Sequence, residues 1–103
     1  MAWPEVDRTV HEPARLRILT ILSAAESVSY NFLRTVLGLT NGNLGSHLDR
    51  LERAGLIEVR KSFQGRTPHT DYVLSPAGRV ALAEYWAALD AIRSSGGSPR
   101  PAH

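Results

Sequence analysis

The sequence has no cysteine among its 103 residues, so neither a disulfide framework nor a thiolate metal site can stabilise this chain. It also has no apolar run near the ~20 residues that a membrane-spanning helix needs. The first residues, MAWPEVDR, place acidic residues and proline where a secretion signal requires basic and then apolar ones. These absences predict a protein of the reducing cytoplasm, without a membrane anchor.

Acidic and basic residues nearly cancel, to a net charge of +2, but they are unevenly placed. Residues 29–70 contain six basic and three acidic side chains, a local charge of +3, whereas the rest of the chain carries six and seven, or −1. A basic middle is compatible with a nucleic-acid partner, although a solvated surface has the same composition. The 43% hydrophobic content is typical of a globular protein with one buried core.

Apolar spacing and end signals predict the first two helices. A helix from Pro13 to Ala25 presents an apolar face and begins the core. Val28 and Ser29 then form a short extended strand, and the Ser29 side chain can cap a helix over Tyr30–Leu37. Gly38 ends that helix.

A third helix is predicted over residues 41–54, although LTNGNLGSHL (39–48) is rich in residues that helices disfavour. Each interior glycine costs about 1 kcal/mol relative to alanine. Thr40 has the side chain of an N-cap, and Leu44, Leu48 and Leu51 form one apolar stripe. Something other than helix stability must therefore have selected the residues between the leucines.

A hairpin and a last helix follow. Strands over 57–61 and 72–74 are separated by a basic loop that contains Gly65 and Pro68. Ser75 and Pro76 start a helix to about Ile92, and residues 93–103 are predicted to be a disordered tail. Residues 1–92 thus form one domain with the element order of a winged helix-turn-helix, an α+β fold that is mainly α, with a two-stranded hairpin wing.

Polar residues lie on the side of the third helix opposite its leucines. The outward positions at i, i+3, i+4 and i+7 are Asn43, Ser46, His47 and Arg50, and the first turn adds Asn41 and Gly42. Short polar side chains of this kind reach base edges in the major groove, and glycine lets the backbone approach phosphate. Because a solvated surface helix usually carries Glu, Lys, Gln and Ala instead, the stripe predicts DNA recognition.

The hairpin loop is an independent indication. Its basic residues, Arg60, Lys61, Arg66 and His69, have no acid among them between residues 60 and 70. Such a tip could lie along the DNA backbone or enter the minor groove, with Arg66 as the expected contact. The predicted DNA-binding set is Thr40, Asn41, Gly42, Asn43, Ser46, His47, Arg50, Lys61, Arg66 and Thr67.

The last helix is apolar on nearly all sides, more than one small domain can cover. We expect the same helix of a second copy to cover it, so that two recognition helices meet successive major grooves. The predicted interface comprises Trp3, Leu82, Tyr85, Trp86, Leu89 and Ile92. The alternative is that Trp86 and Leu89 complete the core of a monomer.

The histidines do not indicate catalysis or a metal site. His47 has no cysteine and no suitably spaced carboxylate to share a metal with. His69, Asp71 and Ser75 have the residue types of a hydrolase triad, but no nucleophile turn accompanies them. We therefore expect neither enzymatic activity nor a cofactor.

From His11 to about Leu89 the sequence resembles the small single-domain winged helix regulators of the MarR and ArsR kind. The segments HEPARLRIL (11–19) and LTNGNLGSHLDRLERAGLIEVRKSFQGRTPHTDYVLSPAGRVAL (39–82) carry the resemblance. It implies a homodimeric transcriptional regulator, with helix 41–54 in the major groove and the wing around Arg66 on the flanking backbone or minor groove. The chain departs from the family pattern at Gly45, where serine is usual, and so lacks a hydroxyl that could contact phosphate or base.

Two further questions stay open at the level of sequence. A small-molecule effector, if the protein has one, would bind at the dimer interface near Tyr85 and Trp86. A winged helix can also serve as a protein-interaction module, although such modules usually carry apolar or acidic residues on the third helix.

Overall fold

The computed structural model describes residues 5–97. Its elements in chain order are α1 (Pro13–Ser23), β1 (Val28–Ser29), α2 (Tyr30–Leu37), α3 (Asn41–Arg53), β2 (Ile57–Gln64), β3 (Thr67–Leu74) and α4 (Pro76–Gly97). The strands form an antiparallel sheet in the order β1-β3-β2. This confirms the predicted α+β, mainly helical, winged helix fold. Trp3 and residues 98–103 lie outside the described residues.

The core forms where α3 packs against α1. Among the fully buried side chains are Ile18, Leu19 and Leu22 of α1, Leu33 of α2, and Leu44 and Leu51 of α3. Burial of one such side chain stabilises a fold by about 1.5–3 kcal/mol. The predicted leucine stripe is thus the contact that attaches α3 to the rest of the chain.

The helices begin as predicted and two of them end slightly early. The Ser29 hydroxyl accepts the amide of Phe32 and the Thr40 hydroxyl accepts the amide of Asn43, each at 3.1 Å. Helix α3 ends at Arg53, one residue early, and α1 ends at Ser23 rather than at Ala25. The amides of Ala24 and Ala25 bond to carbonyls three residues earlier, the tightened last turn that is common at helix ends.

The predicted long loop of the wing is wrong. Strands β2 and β3 stay paired to the tip, where Gln64 faces Thr67 and only Gly65 and Arg66 form the turn. Gly65 has φ of +65°, which suits the first central position of a type II′ hairpin turn. Pro68 is tolerated because it lies beyond the reach of β1, so no third strand needs its missing N–H.

Helix α4 is also longer than predicted, because it ends at Gly97 rather than at about Ile92. Residues 93–97 of the predicted tail are therefore helical. Arg93 forms an ion pair with Asp90 at i, i+3, and this pairing supports the added turn. Serines 94 and 95 weaken a helix only slightly.

Helix α4 begins directly on the backbone that follows α3. The Ser75 amide donates to the Leu56 carbonyl at 3.1 Å, and the Ser75 hydroxyl donates to the Gly55 carbonyl at 2.6 Å. The same hydroxyl accepts the Gly78 amide at 2.9 Å and so caps the helix. A Cβ at Gly78 would lie 2.0 Å from the Leu56 oxygen. Only glycine allows this approach.

We therefore expect Gly78→Ala to lower the free energy of unfolding by about 1–3 kcal/mol or more, as overpacking against a rigid backbone does. Urea unfolding followed by circular dichroism measures the change. The matched control is Gly45→Ala, because a Cβ at that helical glycine meets nothing within 4 Å. The control should gain up to about 1 kcal/mol. Equal effects of the two substitutions would contradict the close contact at Gly78.

Candidate nucleic-acid interface

One side of α3 is polar and open. The predicted residues exposed on or just before this helix are Thr40, Asn41, Gly42, Asn43, Ser46 and Arg50. A Cβ at Gly42 or Gly45 would meet nothing within 4 Å, so packing requires glycine at neither position. Apart from Arg50, the face therefore carries only short side chains, most of which can form hydrogen bonds.

His47 does not share this outward position. Its side chain is 22% exposed, and its Nδ1 lies 3.2 Å from Arg15 Nη1 and 3.8 Å from Glu12 Oε1. The helical repeat of 3.6 residues places His47 about 60° around the axis from Leu44 but about 100° from Ser46. His47 thus flanks the buried leucines, and its interpretation as an outward residue is corrected.

Arg15, the residue that His47 contacts, was missed by the sequence reasoning. It is 9% exposed, and its Nε donates to the Thr9 carbonyl at 2.7 Å. The available signal was spacing, since Arg15 precedes Ile18 and Leu22 by three and seven residues and so shares their buried stripe. A buried guanidinium needs hydrogen-bond partners. Its presence on that stripe pointed to a polar contact inside the protein.

A second contact from the scaffold reaches the start of α3. The Tyr30 hydroxyl donates to Asn41 Oδ1 at 2.9 Å, which leaves the amide nitrogen of Asn41 as a donor. Tyr72, a neighbour of Tyr30, has a raised pKa. The main cause is burial of its phenol, and the charges of Tyr30 and Glu52 contribute less. The raised pKa strengthens the neutral form that a tyrosine already has at physiological pH.

Every residue of the wing from 60 to 68 is exposed. Arg66 lies in its turn with Thr67 beside it, and Lys61 is paired across the hairpin with Thr70. Arg60 faces Asp71, whose carboxylate also lies 3.0 Å from His69 Nε2. Lys61 and Arg66 are consequently the cations of the wing that have no acid as cross-strand neighbour.

Phe63 is a further feature of the wing that the sequence reasoning missed. It is 71% exposed and stands opposite Pro68 near the tip. Phe63 follows Val59 and Lys61 at every second position of β2, a spacing that is typical of one face of a strand. Gly65 and Pro68 nearby favoured a loop instead. The tip thus combines an apolar pair with the positive charge of Arg66.

The residues predicted for a dimer interface separate into two groups. Leu82 and Tyr85 are 6% and 4% exposed inside the chain's own core, and the Tyr85 hydroxyl lies 2.8 Å from His11 Nδ1. Neither is free to contact a second chain. Trp86 is 46% exposed, and Leu89 and Ile92 are half-buried. Beside Trp86, a groove is lined by Leu16, Arg17, Thr20, Ile21, Val36 and Leu37.

Ser75, one of the three residues of hydrolase-triad type, has a structural role. The Ser75 hydroxyl is bonded to Gly55 and Gly78, so it caps α4 and is not a free nucleophile beside His69. Within residues 5–97, no three His, Asp or Glu side chains are grouped to hold a metal ion. None of the helices in the described part of the chain is long and apolar enough to cross a membrane.

A family model described as a winged helix DNA-binding domain matches residues 14–92, which run from α1 into α4. An uncharacterised protein of Methanocaldococcus jannaschii is 38% identical over 71 residues, 69% of this chain and 77% of its own length. An uncharacterised HTH-type transcriptional regulator of Mycobacterium tuberculosis is 29% identical over 100 residues, 89% of this chain and 88% of its own length.

Solved structures agree with these relatives. A transcriptional regulator homologue from Pyrococcus horikoshii has a TM-score of 0.80 at 29% identity, covering 86% of this chain and 88% of its own. The crystal structure of a Mycobacterium tuberculosis protein has a TM-score of 0.72 at 29% identity, covering 88% of each chain. Each of these two structures thus matches most of this chain.

Proposed function

We propose that this chain binds double-stranded DNA in a sequence-specific way. The premise is that it belongs to the winged helix DNA-binding domain family and is a transcriptional regulator of that type. The observation that carries the proposal is the open polar face of α3. Its outermost side chains, Asn43, Ser46 and Arg50, are all exposed. In the proposed complex this face lies in the major groove.

The side chains on that face match the chemistry of base edges. Asparagine can form two hydrogen bonds with adenine, and arginine can form two with guanine, while serine accepts or donates to either. Gly42 and Gly45 lower the stability of the helix, and no close contact in the fold requires glycine at either position. Their advantage would be the close approach of the α3 backbone to DNA.

The first turn of α3 suits a phosphate group. The amino end of a helix carries partial positive charge and free amides, which favour an anion. The Thr40 hydroxyl accepts the Asn43 amide, and its own hydrogen remains to donate. Tyr30 holds the Asn41 side chain through its Oδ1 atom, and the amide nitrogen of Asn41 adds a second donor at this end.

The wing would lie beside the same DNA segment. Lys61, Arg66 and Thr67 supply two positive charges and a hydroxyl along the exposed wing. Contacts of this kind with phosphates raise affinity for every sequence and position the recognition helix without reading bases. Arg66 at the turn is suited to the flanking backbone or the minor groove.

Selection of bound fragments from a pool of random duplexes tests the proposal directly. We expect one family of related sequences to be enriched, and affinity for it to exceed that for a shuffled duplex by about 10³-fold or more. Affinity for both should fall steeply as salt rises, because phosphate contacts release counterions. No enrichment, with weak binding that ignores salt, would instead support a protein-interaction module.

Two substitutions separate the proposed roles of α3 and the wing. Arg66→Ala should weaken binding to selected and shuffled duplexes alike and reduce the salt slope by about one, as loss of a phosphate contact does. Asn43→Ala should cost about 1–3 kcal/mol on the selected duplex and little on the shuffled one. Titration of both duplexes across a salt series measures these effects. The opposite pattern would exchange the two roles.

The proposed DNA-binding unit is a homodimer. Trp86 is large and half-exposed, and the groove beside it lies between α1 and the exposed Val36 of α2. A two-fold contact, in which Trp86 of each copy enters the groove of the other, would bury both apolar surfaces. Such symmetry would present two α3 helices to half-sites about 34–36 Å apart on DNA.

Trp86→Ser should therefore raise the dimer dissociation constant about 30-fold or more, since a buried interface tryptophan is commonly worth at least 2 kcal/mol. Sedimentation equilibrium measures the constant, and circular dichroism verifies the fold. The matched control is Val80→Ser, because Val80 is 56% exposed on the same helix and does not line the groove. A Trp86 variant that dimerises like the unaltered chain would exclude this interface.

A further inference from the structure

We infer that Arg15 is a positioning residue for DNA recognition, which fixes the hydrogen of the His47 ring on Nε2 and so makes that atom a donor toward DNA. The inference rests on the proposed function, because it states how one side chain of α3 is prepared for a DNA acceptor. Arg15 itself lies on α1 and is nearly buried.

The guanidinium of Arg15 is held in one place by the segment before α1. Its Nε donates to the Thr9 carbonyl at 2.7 Å and its Nη2 to the Arg8 carbonyl at 3.4 Å. These contacts direct Nη1 toward α3, where it lies 3.2 Å from His47 Nδ1. The backbone therefore positions the arginine, and the arginine contacts the histidine.

The chemistry of the two groups decides which ring nitrogen carries hydrogen. A guanidinium only donates hydrogen bonds, so the Nδ1 atom that it contacts must be the acceptor. The single hydrogen of the ring is then on Nε2. Glu12 does not oppose this assignment, because its Oε1 lies 3.8 Å from Nδ1, beyond hydrogen-bond distance, and instead accepts the Arg15 amide at 2.8 Å.

The other ring nitrogen is not fully enclosed by the protein. Within residues 5–97, no group forms a hydrogen bond with His47 Nε2, and no side-chain nitrogen or oxygen of the partly or fully buried residues there is both buried and unpartnered. Nε2 is therefore accessible at the edge of the α3 face. Acceptors available there on bound DNA include phosphate oxygens and, among bases, the N7 atoms of purines and the O6 atom of guanine.

Nitrogen-15 NMR of the histidine-labelled full chain tests the assignment without DNA. At a pH where the ring is uncharged, we expect the His47 shifts of a pure Nε2–H form. Arg15→Met should move them toward a mixture of the two forms, whereas Arg79→Met, which removes an exposed arginine on α4, should not. A pure Nδ1–H form in the unaltered chain, or shifts that ignore Arg15→Met, would overturn the inference.

Two substitutions at His47 test the consequence for DNA even if Arg15→Met does not fold. Glutamine can place an amide nitrogen near the position of Nε2, whereas asparagine is too short and ends near Nδ1. On the selected duplex we expect His47→Gln to bind within about 3-fold of the unaltered chain and His47→Asn to bind about 3- to 10-fold more weakly, the effect of one lost hydrogen bond. Equal losses for the two would contradict the donor role of Nε2.

The shuffled duplex identifies the acceptor. A loss for His47→Asn on both duplexes indicates a phosphate, and a loss confined to the selected duplex indicates a base; either supports the inference. If selection enriches no duplex at all, the proposed function fails, while the NMR result still decides whether Arg15 fixes the His47 ring.

Discussion

Burial of the leucines of α3 against α1 is the constraint on which the other features depend. A helix with one buried stripe has one orientation, so fixing Leu44, Leu48 and Leu51 inward turns the residues opposite them outward. Each buried leucine contributes about 1.5–3 kcal/mol, which exceeds the cost of about 1 kcal/mol for each helical glycine. The stripe thus holds α3 in place while its outer residues can serve a purpose other than stability.

The junction between α3, β2 and α4 extends this constraint to the rest of the molecule. Gly55 and Leu56 lie in the turn between α3 and β2, and both offer their carbonyl oxygens to Ser75 at the start of α4. The absence of a side chain at Gly78 lets α4 lie on that backbone. One point of the chain therefore fixes the wing and the exposed Trp86 surface relative to the recognition helix.

Local signals predicted much of the fold, because the forces behind them act within a few residues. The bounds of α2, the caps at Ser29 and Thr40 and the leucine stripe all follow from such signals. The sequence did not predict the contact of Arg15 with His47 or that of Tyr85 with His11, because their partners lie 32 and 74 positions apart. The length of the wing was missed because glycine and proline end many strands but are also compatible with a tight hairpin.

Contacts between the scaffold and α3 bear on the candidate site itself. Asn41 and His47 flank the leucine stripe, and Tyr30 and Arg15 of the scaffold hold them. The side chains of Asn43, Ser46 and Arg50 make no hydrogen bond within residues 5–97. A side chain that is already held loses less conformational entropy on binding, whereas a free one can adapt to its partner. The face of α3 therefore combines oriented edges with an adaptable centre, so substitutions inside the scaffold are expected to alter recognition without touching DNA.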